Sequence, residues 1–117
     1  MRNYYIFLLI PLLLFSCSKE IDEPTNNTNI ISTSGLNFIP EILYCNVGDT
    51  IYFELGDSHN AVEVNEINYN SNSSVPIENG FEFGFGELNF IIVNQSKTYY
   101  YVCTPHLPSM KGKIIVN

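Results

Sequence analysis

Near its C-terminal end the chain reads Tyr99-Tyr100-Tyr101-Val102-Cys103-Thr104-Pro105-His106-Leu107-Pro108-Ser109-Met110, and far upstream His59 sits in Asp57-Ser58-His59-Asn60. These two histidines are the only ones in the sequence. A thiolate and two imidazoles form a trigonal donor set, and a thioether adds a weak, long axial contact; copper is the metal this set suits. The soft sulfurs favour Cu(I), while the imidazoles tolerate Cu(II). If a rigid frame fixes the donors, the site changes little between the two redox states and electron transfer is fast. A lone cysteine or histidine is ordinarily structural. Four residues of metal-binding types at this spacing point to chemistry.

The elements that must position these residues read as strands. The sequence is rich in isoleucine, valine, tyrosine and phenylalanine, lacks tryptophan, and is 45% hydrophobic and 14% aromatic. That bias favours strands over helices. Leu43, Cys45 and Val47 alternate with polar or aromatic neighbours, Gly48-Asp49 marks a turn, and Ile51, Phe53 and Leu55 alternate after it. The pattern predicts a β-hairpin, with a looser connection between sheets as the alternative. Ala61 to Ile67 is a further candidate strand, followed by a polar loop over Asn68 to Ser74. Phe81, Phe83 and Phe85 alternate, and Leu88–Val93, Thr98–Cys103 and Lys113–Val116 complete the set. No segment carries a sustained helical period. Seven or so short strands at close spacing predict an all-β sandwich or barrel. Within it, one strand delivers Cys103 to a loop that carries His106 and Met110.

At 117 residues the chain has room for one domain. Its first residues are not expected to belong to it. Arg2 precedes an apolar run from Tyr4 to Phe15, too short to span a bilayer comfortably and typical of a signal peptide. Leu14-Phe15-Ser16-Cys17 looks like a bacterial lipobox, in which the cysteine is acylated and becomes the new N-terminus; the alternative is an ordinary signal peptide with an incidental cysteine. The expected organisation is a leader over 1–16, lipidated Cys17 with a polar tether over 17–29, and one domain over 30–117. The formal charge of −7 falls by one more when Arg2 is removed. So acidic a chain repels phosphates and makes a poor nucleic-acid binder. Membrane attachment is therefore assigned to the lipid.

Phe38-Ile39-Pro40, Val47-Gly48-Asp49-Thr50-Ile51, Ser58-His59-Asn60, Tyr101-Val102-Cys103-Thr104-Pro105-His106 and Met110-Lys111-Gly112-Lys113-Ile114-Ile115-Val116 together resemble the plastocyanin, pseudoazurin and amicyanin group of cupredoxins. The resemblance runs from about residue 37 to 116. It implies an all-β, Greek-key β-sandwich of about seven to eight strands and one type 1 copper held by His59, Cys103, His106 and Met110. Three residues separate His106 from Met110, between the four usual in plastocyanin-like and pseudoazurin-like loops and the two of amicyanin-like ones. The resemblance also implies that Asn60 hydrogen-bonds across to Thr104, a tie that holds the ligands in place. Pro105 stands where many relatives offer a backbone N–H to the sulfur, and proline has none. A thiolate with one donor fewer is more electron-rich, which implies a lower potential.

The expected function is a single-electron shuttle between redox proteins of the bacterial cell envelope, monomeric and without an enzymatic substrate of its own. The alternatives are a copper-buffering or copper-delivery lipoprotein and a non-redox interaction module. Cys45 could pair with Cys103 as a disulfide. Its alternation with Leu43 and Val47 favours a core position as a small hydrophobe.

Overall fold

A computed structural model describes residues 29–117. The expected leader, the tether and Cys17 lie outside the described residues. Nine strands, β1 (Ile30–Ser34), β2 (Asn37–Ile39), β3 (Ile42–Cys45), β4 (Thr50–Glu54), β5 (Ala61–Val64), β6 (Glu82–Phe83), β7 (Leu88–Ile92), β8 (Thr98–Val102) and β9 (Lys111–Val116), build two sheets. The first has the order β2-β1-β4-β7 and the second β3-β9-β8-β5-β6. Both are mixed: β1 runs parallel to β4 and β3 parallel to β9, while the other pairs are antiparallel.

Period-two alternation sends one set of side chains from each sheet inward. Ile31, Phe38, Ile51 and Phe53 from the first sheet meet Cys45, Phe83, Tyr101, Ile114 and Val116 from the second in one buried cluster. The centre is aromatic. The Tyr101 ring lies edge-on to Phe38 at 4.7 Å and to Phe53 at 5.5 Å, geometries that rings prefer over face-to-face stacking. Opposite Tyr101, in register on β9, is Gly112. A Cβ there would overlap the Tyr101 ring and its hydroxyl, so the glycine makes room for the tyrosine.

The Tyr101 hydroxyl is buried without a hydrogen-bond partner among the described residues, and burial pushes its pKa far above the usual phenol value. An orphaned buried hydroxyl costs about 1–3 kcal/mol of desolvation. Tyr101→Phe is therefore expected to stabilise the domain by about 1 kcal/mol. Urea unfolding should show a higher midpoint at unchanged slope; a lower midpoint would mean that the hydroxyl has a partner in solution.

The structure departs from the sequence reading at three places. Residues 43–55 are not a hairpin but the alternative, a connection between sheets. β3 joins the second sheet and β4 the first, so the turn at Gly48 crosses between layers. Asp49 ties that turn locally, its carboxylate accepting the Asn46 N–H at 2.8 Å, and the Gly48 N–H donates to the Val93 carbonyl at 2.7 Å. Alternation reports which face is buried, and it cannot report which sheet a strand joins. The segment read as a strand over 61–67 stops at Val64, and a short helix, α1 (Glu66–Asn70), follows. Asn65 caps it by accepting the Asn68 N–H at 2.7 Å, the cap that asparagine suits best. Within the Phe81–Phe85 run the strand covers Glu82 and Phe83 alone, and Phe85 faces solvent.

Cys45 is buried in the core with a free thiol, which its alternation indicated. α1 packs on the outer face of the second sheet, where Val62, Val64, Tyr69 and Val102 form a second buried cluster.

Candidate metal centre

β8 ends at Val102 and delivers Cys103 to the edge of the sandwich, where a single 3-10 turn over Thr104–His106 begins. Proline suits the first turn of such a helix because its missing N–H has no partner there in any case. The Cys103 carbonyl accepts the His106 N–H at 3.2 Å. The His106 carbonyl accepts both Ser109 N–H at 2.9 Å and Met110 N–H at 3.1 Å. Cys103 N–H then donates to the Met110 carbonyl at 3.0 Å, closing the loop where β9 begins. Backbone bonds thus fix the path on which Cys103, His106 and Met110 sit.

His59 arrives from the loop between β4 and β5. Its N–H donates to the Gly56 carbonyl at 3.0 Å, and Gly86 N–H reaches both the Gly56 and the His59 carbonyls at 3.2 Å. Gly86 has φ +69°, a conformation that favours glycine. Gly56 is held by Thr33, whose hydroxyl accepts the Gly56 N–H at 2.9 Å. A Cβ on Gly56 would come within 2.9 Å of that hydroxyl and 3.3 Å of the His59 ring. Thr33, Gly56 and Gly86 position His59, and the sequence reading did not single them out. The glycines in Leu55-Gly56-Asp57 and Phe85-Gly86-Glu87 were the available signal.

Asn60 spans the two ligand-bearing loops. Its carboxamide donates to the Thr104 hydroxyl at 2.9 Å and accepts the Thr104 N–H at 2.8 Å. This is the tie expected from the sequence.

The donor atoms converge. Nδ1 of His59 is 3.1 Å from Nδ1 of His106, and the Cys103 sulfur is 3.8 Å from the first and 3.4 Å from the second. The point equidistant from all three lies about 2.0 Å from each, within a few tenths of an ångström of the bonds imidazole and thiolate make to a zinc-sized ion. A proton shared between the rings could satisfy one of these contacts. A cation satisfies all three, so the donor set fits a metal. Cys103 and His59 are buried and His106 is half-buried. Met110 is completely buried in the same cluster as Cys103. The soft sulfur with two imidazoles is the donor chemistry of copper.

Burial pushes the Cys103 thiol above its ordinary value, opposed by backbone hydrogen bonds from Asn60 and His106. A bound cation reverses this by displacing the thiol proton. Pro105, which has no N–H to give, is exposed on the turn. A groove of about 390 Å³ lined by Glu63, Phe81, Lys97 and Tyr99 contains none of the ligand set.

Two packed β-sheets with a cysteine and two histidines converging at one end define a small single-copper protein. Residues 25–117 match the family described as copper binding proteins, plastocyanin/azurin family, and the chain belongs to that family. The cofactor is one type 1 copper. Among solved structures, the chain is similar to pseudoazurin from Hyphomicrobium denitrificans, with 22% identity and a TM-score of 0.60 over 76% of this chain and 74% of that one. It is similar to amicyanin from Paracoccus versutus, with 24% identity and a TM-score of 0.57 over 78% of this chain and 82% of that one. A copper-containing nitrite reductase from Thermus scotoductus shares 27% identity and a TM-score of 0.55 over 75% of this chain, which covers 22% of the enzyme. No curated protein matches the sequence.

Proposed function

We propose that this chain is a single-electron carrier of the bacterial cell envelope, anchored by lipid at Cys17, in which His59, Cys103, His106 and Met110 would hold the copper. It takes electrons from one redox protein and passes them to another, as a monomer, and is not itself an enzyme. The observation that carries the reading is the convergence of three donors from two loops, each loop fixed by its own backbone hydrogen bonds. Copper bound there supplies a one-electron couple.

The protein's part is to hold the donors still and keep water out. Asn60 locks the His59 loop to the Cys103 loop, so neither can relax independently. Burial of Cys103 and Met110 excludes solvent from the sulfurs. Half-buried His106 makes that end of the domain the side a partner can approach.

Titration with Cu(II) tests the reading. One equivalent should produce an intense visible band from the thiolate, and the product should be reduced and reoxidised reversibly by a redox protein. Tight binding without that band would instead indicate copper buffering or delivery.

Met110→Leu tests the assignment of Met110 as a ligand. Leucine has a similar volume, so the core should tolerate it. Loss of the thioether donor disfavours Cu(II). The potential is expected to rise by on the order of 60 mV, a tenfold change in a one-electron equilibrium, and the colour to shift toward blue. An unchanged spectrum and potential would remove Met110 from the ligand set.

A further inference from the structure

The outer faces of the two sheets differ. On the second sheet, α1 covers the strands, and Lys111 arches over Tyr69, donating to its carbonyl at 2.8 Å and lying 4.3 Å from its ring. The first sheet has no such cover among the described residues. Its inward side chains are Ile31, Phe38, Ile51, Phe53 and Ile91, so the alternate positions face out. Register places Ile30, Tyr52 and Phe90 side by side across β1, β4 and β7, with Leu88 and Ile92 in the flanking rows. The Tyr52 and Phe90 rings touch at 5.9 Å. Leu88 is 76% exposed, Ile92 61%, Phe90 53% and Tyr52 46%. A sheet face turned to water normally carries polar residues. Here Glu54 is the one charged residue in the four strands.

We infer that this face, centred on Tyr52, Phe90 and Leu88, docks on a zwitterionic lipid bilayer. The choice of a bilayer as occupant rests on the anchored reading proposed above. The described residues begin at Asn29, immediately before Ile30, which belongs to the face. From Ser18 to Asn29 there are twelve residues, with a reach of at most about 40 Å. A lipid at Cys17 therefore holds the face within a domain's length of the bilayer, at an effective concentration that makes weak affinity sufficient. Tyrosine and phenylalanine beside aliphatic side chains suit the boundary between headgroups and acyl chains. The chain's negative charge excludes an anionic surface. β1 enters the sheet at the end opposite Thr33 and Gly56, which support His59.

Hydroxyl-radical footprinting tests the proposal on the purified chain as processed by its cell, mixed with excess phosphatidylcholine vesicles. Mass spectrometry of the same sample reads the modification at Cys17, so the anchor and the docking are scored separately. Tyr52, Leu88 and Phe90 should be oxidised at least about fivefold more slowly than without vesicles, because side chains at the acyl boundary lose water. Tyr44, 66% exposed on the other sheet, should keep its rate. The protection should persist when the chain is diluted below one copy per vesicle. Leu88→Ser with Phe90→Ser should keep the copper band and the β circular dichroism but lose protection at Tyr52. Protection with unmodified Cys17 would sustain the docking while removing the anchor. Unchanged rates at Tyr52, Leu88 and Phe90, whatever the state of Cys17, would overturn the docking. Protection that disappears on dilution would also overturn it, in favour of a second copy of this chain.

Discussion

Cys103→Ser is expected to abolish the visible absorption of the copper-loaded protein and to lower copper affinity by more than about a hundredfold, beyond the 10–100-fold typical of removing an outer-shell partner. The visible band of such a site is charge transfer from a thiolate sulfur to Cu(II), and a serine hydroxyl is a harder and poorer donor that stays protonated near neutral pH. The cavity should survive, because Cys103 is buried with its backbone fixed by the Met110 carbonyl and the turn to His106. Oxygen is smaller than sulfur, so packing loss is minor. Absorption spectroscopy at one equivalent of Cu(II), with circular dichroism as the fold control, makes the measurement. A coloured serine variant would show that the sulfur is not the ligand responsible.

Gly112→Ala is expected to cost at least about 3 kcal/mol, at or above the upper end of what overpacking usually costs. The new methyl group would occupy the space of the Tyr101 ring. The ring has little freedom to retreat, since it is wholly buried and wedged between Phe38 and Phe53. Either the tyrosine leaves its rotamer or β8 and β9 separate. Both strands lead into the metal loop, so the second response should also broaden the copper band. Denaturant unfolding of the copper-free variant reads the stability term, and the spectrum of the loaded variant reads the geometry. A loss of less than about 1 kcal/mol would mean that the ring moves more easily than its packing suggests.

The loop that carries Cys103, His106 and Met110 was legible in the sequence because its geometry is local. Cys103, His106 and Met110 lie within one turn and one closing backbone bond of each other, so residue types and spacing nearly define their arrangement. His59 was legible by type and by the motif around it, and Asn60 by the same motif. The β class followed from strand alternation and from β-branched and aromatic composition, and the buried thiol of Cys45 from its place in that alternation. The tertiary structure alone decided which sheet each strand joins: β3 and β4, adjacent in sequence and alternating alike, lie in different layers. Pairing is set by packing energy between distant segments, which a period-two pattern does not encode. α1 escaped detection because five residues are too few to show a helical period. The supports of His59 were likewise invisible, since Thr33 meets Gly56 only when β1 has paired in parallel with β4. So was the outer face of the first sheet, which no element among the described residues covers. In the sequence Tyr52, Leu88, Phe90 and Ile92 look like any other strand residues, and only the register of β1, β4 and β7 brings them onto one surface.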